Sequence, residues 1–183
     1  GSGLIAALSY DAVRPVRVGG SEPIPRLDEL LTSFPDTRFN IDPKSDASVT
    51  PLIQLIEDIG AQDRVCIGSF SDRRIRRVRQ AVAGICTSMG PIETLRARIT
   101  SFGIPTGRFD GLAAQVPIRW NGIKIIDQRF VDALHRRGLQ LHVWTVNDPT
   151  QMEELLDLGV DGIMTDQPAM LKQILINRHQ WAD

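Results

Sequence analysis

An α/β fold is predicted by three observations. Short runs of β-branched and aromatic residues alternate with helical stretches along most of the chain. Glycine or proline closes one helix after another. Polar residues gather just where each strand run ends. Alternation of this kind gives a parallel sheet with right-handed helical crossovers.

The elements follow in order. Ser9 caps a short helix reaching about Arg17, and Gly19-Gly20 break it. Pro25 opens a helix over Arg26 to Ser33, stopped by Pro35. Residues 1–36 thus read as a helical lead-in, and residues 37–183 as the alternating body of one domain. The first strand is Thr37 to Lys44. A helix from Pro51 to Ile59 follows, capped by Thr50 and closed by Gly60. Val65 to Phe70 is a strand, and Ser71 or Asp72 caps a helix reaching Val82. Gly84 to Ser88 is a strand, followed by a helix around Ile92 to Thr100. Leu112 to Val116 is a strand, and Asp127 caps a helix that Gly138 ends. Leu139 to Val146 is a run of strong β-formers. Asp148-Pro149-Thr150-Gln151 has the cap, first-turn proline and reciprocal glutamine of a helix start. Asp161 to Thr165 is the last strand, and Pro168 starts the last helix. The total is about five strands. Two architectures fit, an open doubly wound sheet and part of a (β/α)8 barrel. The chain is shorter than the roughly 250 residues of a whole barrel.

Composition excludes several classes. Net charge is −1, so no basic excess points to nucleic acid. The basic residues are 18 Arg and three Lys. In Arg73-Arg74-Ile75-Arg76-Arg77-Val78-Arg79 the apolar positions share a helical face with Val82, which leaves the arginines as a solvated outer face. No interleaved aromatics support base stacking. Cys66 and Cys86 are too few for a disulfide framework or zinc cluster and read as two buried thiols. No apolar run reaches transmembrane length. Gly1-Ser2-Gly3 reads as a cloning remnant.

Sites in parallel α/β folds form at the carboxyl ends of strands. Those ends carry Asp42 and Lys44, Ser69 and Phe70, Thr87 and Ser88, Gln115, Trp144 and Asn147, and Thr165 and Asp166. Asn40, Asp42 and Lys44 are spaced by two, so a strand presents them on one face while Phe39 and Ile41 take the other. A carboxylate and an ammonium at a barrel mouth are costly to bury without a ligand. Asp42 and Lys44 are therefore the leading site candidates, a carboxylate to hold a metal and an amine to hold a phosphate. Gln115 and Trp144 are candidate substrate contacts. The bland roles are a helix cap for Asp166, turn shaping for Asn147, and a neutral, satisfied core position for His142.

Several segments together resemble the glycerophosphodiester phosphodiesterase family. They are Glu22 to Leu31, Phe39-Asn40-Ile41-Asp42-Pro43-Lys44, Val65 to Asp72, His142-Val143-Trp144-Thr145-Val146-Asn147 and Gly159-Val160-Asp161-Gly162-Ile163-Met164-Thr165-Asp166-Gln167-Pro168. They occur in family order over nearly the whole chain. The resemblance implies the later part of a (β/α)8 barrel. It also implies hydrolysis of glycerophosphodiesters to glycerol 3-phosphate and an alcohol, assisted by Mg or Ca. By resemblance, Asp42 stands where the family has a metal-binding acid, Lys44 matches the phosphate-contacting, catalytic lysine, and Trp144 matches a pocket aromatic. The family's His-Arg-Gly strand, its acidic-pair strand and its His-Asp strand have no counterpart here, and the first histidine is His135. The expectation is a chain that starts after the third barrel strand, is active only at full length, and self-associates through open sheet edges. A cytoplasmic protein is expected. The competing readings are a non-catalytic binding or scaffold protein of the same fold, and a phosphate-binding aldolase or isomerase with Lys44 as reactive amine.

Overall fold

The computed structural model describes residues 5–181; Gly1-Ser2-Gly3 lies outside them. The lead-in is less helical than expected. Helix α1 (Tyr10–Val13) is capped by Ser9, whose hydroxyl accepts from the Ala12 N–H. Strands β1 (Arg17–Val18) and β2 (Glu22–Pro23) then pair antiparallel. Gly19 and Gly20 turn between them at φ +61° and +84°, conformations that glycine adopts without a Cβ penalty. Helix α2 (Leu27–Ser33) follows, with the Glu29 carboxylate accepting from the Arg26 N–H.

The body then alternates as expected. Strand β3 (Phe39–Ile41) is shorter than the predicted Thr37 to Lys44. Pro43 has no N–H to donate, and the chain leaves the ladder before it. Helix α3 (Val49–Ile59) starts from Ser48 rather than Thr50, takes Pro51 into its first turn, and ends at Gly60 in the left-handed conformation. Next come β4 (Val65–Ile67), α4 (Asp72–Ala81), β5 (Cys86–Thr87) and α5 (Pro91–Thr100). Strand β6 (Ala113–Pro117) leads into a hairpin that sequence reasoning missed, β7 (Arg119–Trp120) and β8 (Ile123–Lys124). Its turn is Asn121-Gly122, both at positive φ, a strong short-range hairpin signal. Helix α6 (Gln128–His135), β9 (Gln140–Trp144), α7 (Pro149–Asp157), β10 (Gly162–Ile163) and α8 (Pro168–Asn177) complete the chain.

Two parallel triplets, β3-β4-β5 and β6-β9-β10, form the sheet. A parallel bridge between Ser88 and Ala113 joins them. The Met89 N–H donates to the Ala113 carbonyl (2.8 Å) and the Leu112 N–H to the Thr87 carbonyl (2.9 Å). The array therefore holds six parallel strands, one at each of the six strand runs read from the sequence, against an expected total of about five. Among the described residues β3 and β10 each pair on one side only.

Helices pack on one face of this array in two apolar clusters. Leu31, Val49, Ile56, Ile67 and Val78 centre the first, under β3 to β5. Phe130, Leu134, Leu141, Val143 and Met152 centre the larger second, under β6, β9 and β10. Burying each such side chain stabilises the fold by about 1.5–3 kcal/mol. Ile75 and Val78 face inward from α4, as their spacing predicts. The opposite face of the strands, away from the helices, carries the polar residues.

Candidate active site

The polar face is built by strand alternation. On β3, Phe39 and Ile41 pack against the first cluster while Asn40 turns the other way. Register carries that direction across the sheet: Asn40 lies opposite Cys66, and Cys66 opposite Cys86. On the second triplet Gln115 lies opposite His142, and His142 opposite Gly162. The two triplets curve until these faces meet. The Gln115 amide donates to Asn40 Oδ1 (3.0 Å) and reaches His142 Nδ1 (3.3 Å), although Asn40 and Gln115 are 75 residues apart. His142 Nε2 meets Gln140 Oε1 at 3.1 Å. Burial holds the His142 imidazole below its ordinary pKa of 6.5, with Asp161 opposing weakly. His142 is thus neutral and satisfied, as expected, and sits inside a polar network.

Asp42 and Lys44 lie one and three residues beyond the end of β3. Lys44 Nζ donates to Asp42 Oδ2 at 2.5 Å. It also sits 5.6 Å from the centre of the Phe70 ring, and Phe70 meets Trp144 edge to face at 5.5 Å. Asp42, Lys44, Phe70, Gln115 and Trp144 all line one cavity of about 800 Å³. The three predicted contacts and the predicted carboxylate therefore converge. Asp42 Oδ1 is buried with no hydrogen-bond partner.

The loop that aims Lys44 is held by the arginines of α4. Arg74 Nε donates to Asp46 Oδ1 (2.8 Å), and its Nη1 to the Pro43 carbonyl (3.2 Å). Arg73 also bonds the Asp46 carboxylate, and Arg77 donates to the Asp46 carbonyl and to Thr50 Oγ1. Arg79 reaches the next loops, donating to Thr87 Oγ1, the Ser88 carbonyl and Glu93 Oε2. Arg73 and Arg76 are exposed as expected, but Arg74, Arg77 and Arg79 are half-buried, which corrects the reading of all these arginines as a solvated face. They tie strand ends together, a role the helical period cannot reveal because it depends on what lies beyond the helix. Burial alone pushes the Glu93 carboxyl up. Donation from Arg79 and from the Asp110 and Gly111 N–H groups wins and holds it below its usual range.

At the far end of the array, Asn147 Oδ1 accepts from Thr165 Oγ1 (3.1 Å) and the Asp166 N–H (2.9 Å), and its amide donates to Asp166 Oδ2 (3.0 Å). Asp166 therefore clamps the loop after β9 and does not cap α8, whose N-cap is Gln167. Asp148 caps α7 by accepting from the Gln151 N–H.

The sequence of this chain matches the model of the Glycerophosphoryl diester phosphodiesterase family over residues 25–170. The chain belongs to that family. The matched span contains Asn40, Asp42, Lys44, Gln115 and Trp144. A Mycobacterium tuberculosis protein named "Probable glycerophosphodiester phosphodiesterase 2" is 37% identical, covering 98% of this chain and 70% of its own length. "Lysophospholipase D GDPD1" of Rattus norvegicus is 27% identical, covering 84% of this chain and 57% of its own. The chain thus spans a little over half to about two thirds of the length of these curated relatives. A phosphodiesterase from Oleispira antarctica, solved in complex with the product sn-glycerol-3-phosphate, superposes with a TM-score of 0.75. The superposition covers 97% of this chain and 74% of that one at 16% identity, a likeness of fold.

Members of this phosphodiesterase family are phosphoric diester hydrolases, and the resemblance implies a divalent metal. Among the described residues no group of three or more His, Cys, Asp or Glu is placed to hold a metal ion. Asp42 is a single carboxylate with one oxygen already on Lys44. A hard cation takes about six to eight oxygen ligands, so the residues present do not make a metal cage. Sequence reasoning missed Trp120, which lines the cavity from the β7–β8 hairpin; the Asn121-Gly122 dipeptide was the signal that would have placed it.

Proposed function

We propose that this chain forms the phosphate-binding and alcohol-binding walls of a glycerophosphodiester hydrolase site within the later part of a (β/α)8 barrel. The observation that carries this reading is the convergence of Lys44, Asp42, Phe70 and Trp144 on one cavity. Lys44 offsets charge that builds on the phosphoryl oxygens as water attacks phosphorus. The aromatic edge beside it receives the apolar face of the glycerol or of the departing alcohol. Asp42 orients Lys44 by accepting from its ammonium through Oδ2. His142 is engaged on both nitrogens and is not poised to protonate a leaving group. On this reading the 183 residues alone bind product without turning over substrate.

The alcohol side of the cavity favours a lipid-like group. Phe70, Leu95 and Trp120 line it and are each more than half exposed. A lysophospholipid supplies a glycerophosphodiester together with an apolar chain, and one relative is named a lysophospholipase D. Lys44 as a Schiff-base amine is disfavoured, because its side chain is 78% exposed and paired with a carboxylate rather than desolvated. Self-association through β3 and β10 is also proposed; light scattering that gives a monomer at high concentration overturns it.

Calorimetric titration with sn-glycerol 3-phosphate tests the assignment. Binding should weaken by about tenfold or more in Lys44→Ala, roughly 1.4 kcal/mol, and an unchanged affinity defeats the phosphate assignment. Metal-dependent turnover of glycerophosphocholine by the 183-residue protein would overturn the prediction that it does not act alone.

A further inference from the structure

Cys66 and Cys86 occupy directly opposed positions on the parallel strands β4 and β5. Their neighbours Val65, Ile67 and Thr87 are buried, Val65 and Ile67 within the helix-side core cluster, and alternation turns both sulfurs to the inner polar face, in line with Asn40. Neighbouring strands lie about 4.7–4.9 Å apart, which falls inside the Cα separation of about 4.4–6.8 Å that a disulfide tolerates. Both cysteines are free and both are partly exposed. Cys66, directly opposite on the neighbouring strand, brings the Cys86 thiol down to about 7 against the opposing effect of burial. The same pairing, followed by burial, pushes the Cys66 thiol up. Two directly opposed, partly exposed thiols are an arrangement that redox-active cysteine pairs share.

We propose that Cys66 and Cys86 are a reversible oxidation site, closed to an intramolecular disulfide by a peroxide. The Cys86 thiolate attacks one peroxide oxygen and the O–O bond breaks. The sulfur is oxidised to a sulfenic acid, and the other oxygen leaves as hydroxide and takes up a proton. The Cys66 sulfur then attacks the Cys86 sulfur, and the S–O bond breaks with loss of water as Cys66 gives up its proton. Two thiols and one peroxide become one disulfide and two waters. The bond links strands two residues below Gly68 and Ser88, which both line the cavity floor. A Cβ placed on Gly68 would lie 2.9 Å from Gln115 Oε1 and 3.2 Å from Ser88 Oγ, so that floor has no slack to absorb a change in strand spacing.

The test is treatment of the purified 183-residue protein with hydrogen peroxide, followed by free-thiol titration and peptide mapping. The free-thiol count should fall from two to none, with the mass reduced by two hydrogens and a Cys66–Cys86 crosslinked peptide. Dithiothreitol should restore both thiols. Cys66→Ser should leave Cys86 as a sulfenic acid that dimedone traps, with no crosslink. The proposal fails if both thiols survive treatment, if the products are only sulfinic and sulfonic acids, or if the crosslink joins two chains. The wild-type mapping decides the matter even where the variant does not fold, and it is independent of whether glycerol 3-phosphate binds.

Discussion

The two strand triplets hold their chemistry in different ways. In β6-β9-β10 the site residues Gln115, His142 and Trp144 lie within the ladder, on strands five residues long. In β3-β4-β5 the strands run two or three residues, and Asp42, Lys44 and Phe70 lie beyond their ends. Ladder positions take their direction from backbone hydrogen bonds. Positions past the ladder need tethers, and here α4 supplies them through Arg73, Arg74 and Arg77 on the Asp46 loop. The chemistry divides the same way. Neutral amides and an imidazole occupy the enclosed ladder, where desolvation disfavours charge. The carboxylate and the ammonium sit at the open mouth, paired with each other.

The comparison can be broken first in the larger core. Phe130→Ala should cost about 3–5 kcal/mol, since the ring is fully buried at the centre of the second cluster. Urea denaturation measures it, and a loss below about 1 kcal/mol would mean that this half is not the better packed. Glu93→Ala should cost about 2–3 kcal/mol by leaving Arg79, only 18% exposed, without its carboxylate. Because Arg79 also joins β5 to α4, that loss should exceed the loss from any tether at Asp46. An Asp46→Ala protein that is equally destabilised contradicts the ranking.

Gly68→Ala probes the contact between the halves. It should cost about 1–2 kcal/mol by crowding Gln115, and less when Gln115 is already alanine. Additive losses in that double-mutant cycle would show that the halves are not coupled there. The ladder's desolvation has a pH signature. The folded His142 pKa lies below 6.5, so just below pH 6.5 the unfolded chain binds more protons than the folded one. Stability contributed by neutral His142 is complete above that pH and is lost as pH falls through the lowered folded value. Denaturation midpoints taken from about pH 8 to 5 should fall for the wild type and fall less for His142→Gln; parallel curves would remove the assignment. The smallest effect belongs to the open mouth. Lys44→Ala should change stability by no more than about 0.5 kcal/mol, because exposed pairs contribute little. A large loss of stability there would mean that the lysine is structural.

Much of this was legible in the chain. Period-two spacing turned Asn40 away from Phe39 and Ile41, Trp144 stands at a strand end as read, and caps at Asp127 and Asp148 marked their helices correctly; Asp42 and Lys44 reach the same cavity from beyond the ladder, where alternation does not aim them. Arg74, Arg77 and Arg79 of α4 were misjudged because a helical period says which side faces out and nothing of what waits there. Asp166 was misassigned because an aspartate before Pro168 suits a cap equally well, until Asn147 is found 19 residues away in sequence and 3.0 Å away in space.

Local pattern alone determined the α/β alternation, the inward faces and the identity of the charged pair, since each depends on neighbours within a few residues. The folded chain decided which strands lie side by side, and so it set Cys66 against Cys86 and Asn40 against Gln115. It also left Asp42 Oδ1 buried without a partner. These facts depend on register and sheet curvature, which sum packing over the whole chain and leave no signature at any single position.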